Sequence, residues 1–252
     1  MNLWREGVIF LAALVAGAIN SVAGGGTLVS YPSLVWAGLD PIVANATSTV
    51  ALWPGSLASV FGYRDNLHGS RRWMLRLAPS SFIGGALGAV LLLLTPSKVF
   101  AGLVPWLILG ATALRAANTP ISRLLQRVSQ HRETRAWLTG AVVFQFFVAV
   151  YGGYFGAGIG IMMLAAFGLL GMTDIHQMNG LKALFAMGIN GVAAAYFISR
   201  GAVHWPDALP MAVGAMAGGY LGARLARRLG RRFVQIAVVV IGTTMGIYLL
   251  IR

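Results

Sequence analysis

The sequence predicts an all-α polytopic membrane protein made of two inverted repeats, each a glycine-broken re-entrant hairpin followed by three transmembrane helices. Composition, the glycine breaks in the longest apolar runs, and the placement of arginine carry that expectation. Of 252 residues, 58% are hydrophobic and 10% charged, whereas a soluble globular chain carries roughly 25% charged residues. A water-facing shell cannot be made from 19 Lys plus Arg and 6 Asp plus Glu. The 33 glycines fit the same reading, because helices in lipid approach one another over small residues.

The net charge of +13 is not a nucleic-acid signal. Its arginines stand in short segments between apolar runs, where positive charge sets membrane orientation. The absence of Cys excludes thiolate metal sites, disulfides and thiol catalysis. Arg5 followed by the run from Val8 to Ile19 has the pattern of a signal peptide. The segment returns later in the chain, so it is read as part of the fold.

Apolar runs cover 7–36, 41–63, 74–94, 98–114, 137–172, 177–199, 206–223 and 233–251. Six have the length of ordinary spans, with 98–114 and 206–223 short. The runs 7–36 and 137–172 are too long for one crossing. Gly24, Gly25 and Gly26 interrupt the first; Gly152, Gly153, Gly156, Gly158 and Gly160 interrupt the second. Consecutive glycines weaken a helix, so each run is expected to break there.

The halves resemble each other at an offset near 132 residues. Ala23-Gly24-Gly25-Gly26 aligns with Phe155-Gly156-Ala157-Gly158, Tyr63 with Tyr196, Trp73 with Trp205, and Gly84, Gly85 and Gly88 with Gly218, Gly219 and Gly222. The division expected is a first repeat over 1–114, an Arg-rich cytoplasmic linker over 115–136 and a second repeat over 137–252. Internal duplication of this kind is common in secondary transporters.

Charge parity orients the halves. Arg-rich segments occur at 64–76, 115–135 and 224–232 and hold fourteen of the nineteen cations. Eight simple crossings put the last segment opposite the other two, against the positive-inside rule. If the two long runs are hairpins returning to the side they left, all three segments fall in the cytoplasm. Each half then has three crossings, an odd number, so the halves are inverted.

Non-helical backbone at membrane depth is tolerated where protein buries it or where it lines a water-filled cavity. Broken helix ends present N–H groups that attract anions. Asn20, Ser21 and Thr27 flank the first break; Gln145, Tyr151 and Tyr154 flank the second. The glycines could equally serve tight packing alone. In 41–63, Asn45, Thr49 and Ser56 share one helical face, and in 177–199 the equivalent stripe is Asn179, Lys182 and Asn190. Lys182 is the one cation well inside an apolar run, which by default suggests function. Two structural readings stand beside it: snorkelling to the interface, or pairing with Asp174.

No enzyme constellation is present, and no cofactor or metal is expected. Gly25-Gly26-Thr27 lacks the Gly-Lys-Ser/Thr of a phosphate loop. The four His are scattered, and the six acids lie at span ends or in loops. Proton coupling is therefore not legible.

Asn20-Ser21-Val22-Ala23-Gly24-Gly25-Gly26-Thr27, then Pro32, Gly38-Leu39-Asp40-Pro41 and Ala46-Thr47-Ser48, resembles the signature of the TauE/SafE sulfite-exporter family. Gly156-Ala157-Gly158-Ile159-Gly160 with Asn179-Gly180-Leu181-Lys182 is similar to its partner repeat. The likeness runs from about residue 7 to 250. It implies a multi-pass permease of the bacterial cytoplasmic membrane that exports a small sulfur-containing or organic anion, sulfite- or sulfonate-like. The substrate site expected between the repeats comprises Asn20, Ser21, Gly24, Gly25, Gly26, Thr27, Asn45, Thr49, Gly156, Gly158, Asn179, Lys182 and Asn190. The expected partners are that anion and the lipid bilayer, not nucleic acid; a homodimer is compatible. An anion channel, an uptake permease and a non-transporting helper subunit are the alternatives.

Overall fold

The structure, a computed structural model, describes residues 3–23, 25–117, 135–170, 172, 174–229 and 231–251. Among these there are ten α-helices, one short 3-10 turn and no strand. The first long apolar run forms α1 (Leu3–Ala23) and α2 (Thr27–Trp36), with Gly25 at φ 108° beside the break. The second forms α6 (Arg135–Tyr154) and α7 (Ile159–Leu169), with Gly156 at φ 81° and Gly158 at φ 78° between them. These φ values lie where a Cβ is strained, so glycine ends the helices at those places. In each case the two short helices pack on one another.

Two helices follow the broken runs with matching starts. Asp40 accepts from the Ile42 amide at 2.9 Å and opens α3 (Pro41–Tyr63). Asp174 accepts from the His176 amide at 2.9 Å and opens α8 (Ile175–Ser199). Both are aspartate N-caps, which satisfy a donor the helix itself leaves open. The remaining helices are α4 (Arg71–Leu94), α5 (Ser97–Ala116), α9 (Trp205–Leu229) and α10 (Arg231–Ile251). The helix α9 runs on past the apolar run ending at 223 and takes in Arg224, Arg227 and Arg228. Ala, Leu and Arg are all good helix formers, so polarity alone does not end it.

Among the described residues, three helices are long and apolar enough to cross a membrane: Arg71–Leu94, Ser97–Leu114 and His176–Ser199. Large apolar side chains such as Leu94, Trp106, Phe147 and Leu209 are exposed on the outside of the bundle. Contiguous apolar surface of this kind suits lipid rather than water.

The most extensive packing is between α1 and α9 and between α4 and α6, elements far apart in sequence. Glycine makes both crossings close. A Cβ on Gly218 would fall on the Leu14 carbonyl oxygen, one on Gly214 would lie 2.8 Å from the Phe10 oxygen, and one on Gly17 would strike the Ala215 oxygen. In the other pair, a Cβ on Gly88 would fall on the Val150 oxygen, one on Gly84 would lie 2.7 Å from the Phe146 oxygen, and one on Gly153 would strike the Gly85 oxygen. Between these pairs, α3 crosses α8, α3 also packs on α9, and α8 also packs on α4.

Candidate functional site

A partly open cleft lies between α3, α8 and the two glycine breaks. From α3 it is lined by Thr49, Leu52, Ser56 and Tyr63, and from α8 by Lys182, Ala183, Ala186 and Asn190. Counted from their capping aspartates, Thr49, Leu52 and Ser56 hold the same helical positions as Ala183, Ala186 and Asn190. One helical face of each element therefore forms one wall. Asn20, Gly25 and Thr27 come from the first break, and Phe155, Gly156, Gly158, Ile159 and Gly160 from the second. The cleft extends from the glycine breaks along α3 to Tyr63, its last residue.

Hydrogen bonds fix the walls. Thr49 Oγ1 donates to the Asn45 carbonyl oxygen at 2.9 Å, within its own helix. The Lys182 ammonium donates to Asn179 Oδ1 at 3.0 Å. A Cβ on Gly160 would stand 3.1 Å from Lys182 Cδ, so the lysine stem lies across a residue with no side chain. Tyr151 Oη donates to the Ala157 carbonyl oxygen at 2.7 Å and holds the second break in shape. Behind Phe155, the rings of Tyr31 and Phe100 meet it edge-on, with centroids 5.8 and 6.3 Å away. That end of the cleft is closed by aromatic packing.

Of the residues expected at a binding site, Asn20, Gly25, Thr27, Thr49, Gly156, Gly158, Lys182 and Asn190 line this cleft. Gly26 does not: it is buried, and a Cβ there would lie 2.5 Å from the Ala16 oxygen, so it packs α2 against α1. Asn45 is turned to the second break instead, where its Nδ2 donates to the Tyr154 oxygen at 3.0 Å. Asn179 contributes indirectly, through Lys182. Gly24 and the Ser21 side chain lie outside the described residues. Ser56 had been placed on the polar stripe but not in the site. Phe155, Leu52 and Ile159 carry no polar signal in the sequence, and only the packing reveals them.

Chemically the cleft combines one cation with neutral polar groups. Lys182 is the one charged side chain among the described residues that line it, and no Asp or Glu does. Amide and hydroxyl groups of Asn20, Thr27, Thr49, Ser56 and Asn190 surround it. The helices α2 and α7 both start at the cleft, and their capping glycines make no side-chain bond to the helix end. The positive end of each helix dipole adds to the charge of Lys182.

A second polar cluster lies away from the cleft. Asp207, 3% exposed, receives Arg5 through both oxygens at 2.8 and 2.9 Å. His204 Nδ1 stands 2.9 Å from the same carboxylate, and Arg5 Nε donates to the Ala37 oxygen at 3.1 Å. An acid in the first turn of a helix reads as surface in sequence; the fold buries this one.

A bundle of apolar helices around a cleft with one cation and several amides defines a helical membrane protein with an internal polar site. The family model described as "Sulfite exporter TauE/SafE" matches residues 9–249, and the chain belongs to this family. A "Probable membrane transporter protein ORF9" of Sinorhizobium sp is 28% identical over 242 residues, which are 96% of this chain and 91% of that one. A "Probable membrane transporter protein" of Haemophilus influenzae is 29% identical over 218 residues, 85% of this chain and 82% of the relative. "Probable membrane transporter protein YfcA" of Escherichia coli is 28% identical over 249 residues, covering 97% and 89%. No solved structure matches.

Proposed function

We propose that the protein is a secondary transporter that exports a small sulfite- or sulfonate-like anion across the bacterial cytoplasmic membrane. The anion binds in the central cleft, against Lys182. One observation carries this reading: the single cation of the cleft stands among neutral donors, on the helix that follows the second glycine break. An oxyanion there accepts charge-assisted bonds from the ammonium and further bonds from Ser56 and Asn190. The family description supports the substrate class and the direction.

The same reading takes residues 1–114 and 137–252 as inverted repeats joined by a cytoplasmic linker over 115–136, with α1–α2 and α6–α7 as re-entrant hairpins. Three pairs of features support it. Asp40 and Asp174 cap α3 and α8 alike. The α1–α9 crossing repeats that of α6–α4, glycine for glycine and carbonyl for carbonyl, with Ala215 at the place of Gly85. At matching positions of α3 and α8, Trp53 Nε1 donates to the Met187 oxygen at 3.0 Å, as expected where a two-fold axis passes. Inverted-repeat transporters bind substrate at such an axis, between discontinuous helices.

Reconstitution into liposomes with sulfite, thiosulfate, sulfoacetate and acetate tests the function. Saturable flux of sulfite or a sulfonate, lost on Lys182→Met, is the expected result. Flux proportional to concentration without limit would make the protein a channel. No flux of any of the four would overturn the reading.

A further inference from the structure

We infer that the two bodies which move against each other during transport are not the two halves of the sequence. They are two mixed bundles, α1–α2–α3 with α9, and α6–α7–α8 with α4. The inference rests on the secondary-transporter reading above and adds to it which helices travel together.

Packing defines the bundles. The closest helix contacts in the molecule, α1 on α9 and α6 on α4, join helices from opposite halves, and backbone touches backbone at glycine in both. Such a crossing resists sliding, because at each contact the glycine has no side chain that could rearrange around the facing carbonyl. Each bundle also has an internal polar tie. In the first, Arg5 bonds the Ala37 oxygen of the α2–α3 turn and the Asp207 carboxylate of α9. In the second, Gln145 of α6 donates to Ser81 of α4 at 3.0 Å, both fully buried.

Contacts between the bundles are of another kind. The α3–α8 crossing holds the cleft and the Trp53–Met187 bond. At the Phe155 end the two bundles share one apolar core, in which Tyr31 packs on Phe155 and Phe100 beside Leu92 and Phe197, and one polar bond, from Asn45 Nδ2 to the Tyr154 oxygen. Ser97, three residues past the end of α4, donates to Asp40 of the α2–α3 turn at 2.9 Å and so ties the end of α4 to the first bundle. The other end of the cleft lies toward Tyr63 and Lys182. That end carries Arg64, Arg71 and Arg72, which the positive-inside rule assigns to the cytoplasm. The aromatic packing stands at the opposite end, so access from that side requires the Phe155 end to part. A rigid-body rock about α3–α8 does this without breaking either glycine crossing.

Spin labels at exposed positions test the assignment, since the chain has no cysteine of its own. Trp36, Leu94 and Leu209 are all exposed. Trp36 and Leu94 belong to one sequence half but to different bundles; Trp36 and Leu209 belong to different halves but to one bundle. Distances are measured by pulsed electron resonance in liposomes, in Phe155→Ala and in the milder Ser97→Ala, both of which loosen the closed end. The 36–94 distribution should gain a longer component in at least one variant, while the 36–209 distribution stays unchanged. A lengthened 36–209 distance, or an unchanged 36–94 distance in both variants, would overturn the inference. No anion is added, so failure of the flux assay and failure of this experiment are separately visible.

Discussion

Gly218 rests on the carbonyl oxygen of Leu14 so closely that a single methyl group at 218 has no room. The helix α9 can lie against α1 only because that side chain is missing, and Gly88 has the same relation to Val150 in the other bundle. Gly218→Ala and Gly88→Ala should each destabilise the protein by about 1–3 kcal/mol, as overpacking of a close contact does. Gly140 is the control. Nothing lies within 4 Å of its Cβ position on α6, so Gly140→Ala should be neutral or raise the melting temperature slightly. Thermal unfolding in detergent compares the three, and equal melting temperatures would contradict the packing account.

The Arg5–Asp207 pair should matter for stability more than a surface ion pair does. Asp207→Asn leaves Arg5 facing a neutral amide in a buried place, with an expected loss of about 2–3 kcal/mol. That is below the roughly 3–5 kcal/mol of fully buried pairs, because Arg5 remains 30% exposed. In the α6–α4 crossing the places corresponding to Arg5 and Asp207 are taken by Ala141 and Leu77, both buried in one apolar cluster. The double variant Arg5→Ala with Asp207→Leu copies that arrangement and should regain most of the lost stability. A double variant less stable than Asp207→Asn would show that the pair is not replaceable by packing.

Topology follows from the same account. Single cysteines at 68, 116 and 230 should react with an impermeant maleimide from the cytoplasmic side, and those at 98 and 200 from the other. Residue 200 reacting from the same side as 68, with 230 opposite, is the pattern of eight simple crossings and would remove the hairpins.

Much of this was legible in the sequence, for identifiable reasons. The breaks at Gly25, Gly156 and Gly158 were visible because glycine clusters inside apolar runs are helix terminators. Thr49 and Asn190 could be placed because polar residues at helical spacing in an apolar span are conspicuous. The correspondence between the two glycine crossings was less accessible. Sequence alignment paired Gly84 and Gly88 with Gly218 and Gly222, whereas the crossings equate them with Gly214 and Gly218, one turn earlier. Glycine recurs on successive turns of α9, so matching letters cannot fix the turn; the carbonyls of Phe10 and Leu14 do. Phe155, Tyr31 and Phe100 look like ordinary core in sequence, and their grouping at one end of the cleft depends on three distant segments meeting.

The cleft also ranks its polar residues. Ser56→Ala and Asn190→Ala each remove a neutral group from the wall and should weaken anion binding by about 0.5–1.5 kcal/mol, the worth of one ordinary hydrogen bond. Asn45→Ala acts away from the lining, at the Tyr154 oxygen, and should alter transport rate more than affinity. Calorimetric titration beside liposome flux separates the two effects. Equal loss of affinity in all three would contradict the distinction.

Sulfite binding to the purified protein and to Lys182→Met, measured with thermal stability on the same samples, tests the central claim most directly. Methionine keeps much of the length of the lysine stem over Gly160 while removing the charge. The account predicts an affinity loss of about 1.5–3 kcal/mol, the contribution of a charged hydrogen bond, with little change in melting temperature. Lys182→Arg should retain part of the affinity, because charge survives while geometry changes. Unchanged sulfite affinity in Lys182→Met, accompanied by a lower melting temperature, would make this lysine a structural residue and contradict an anion site in the cleft.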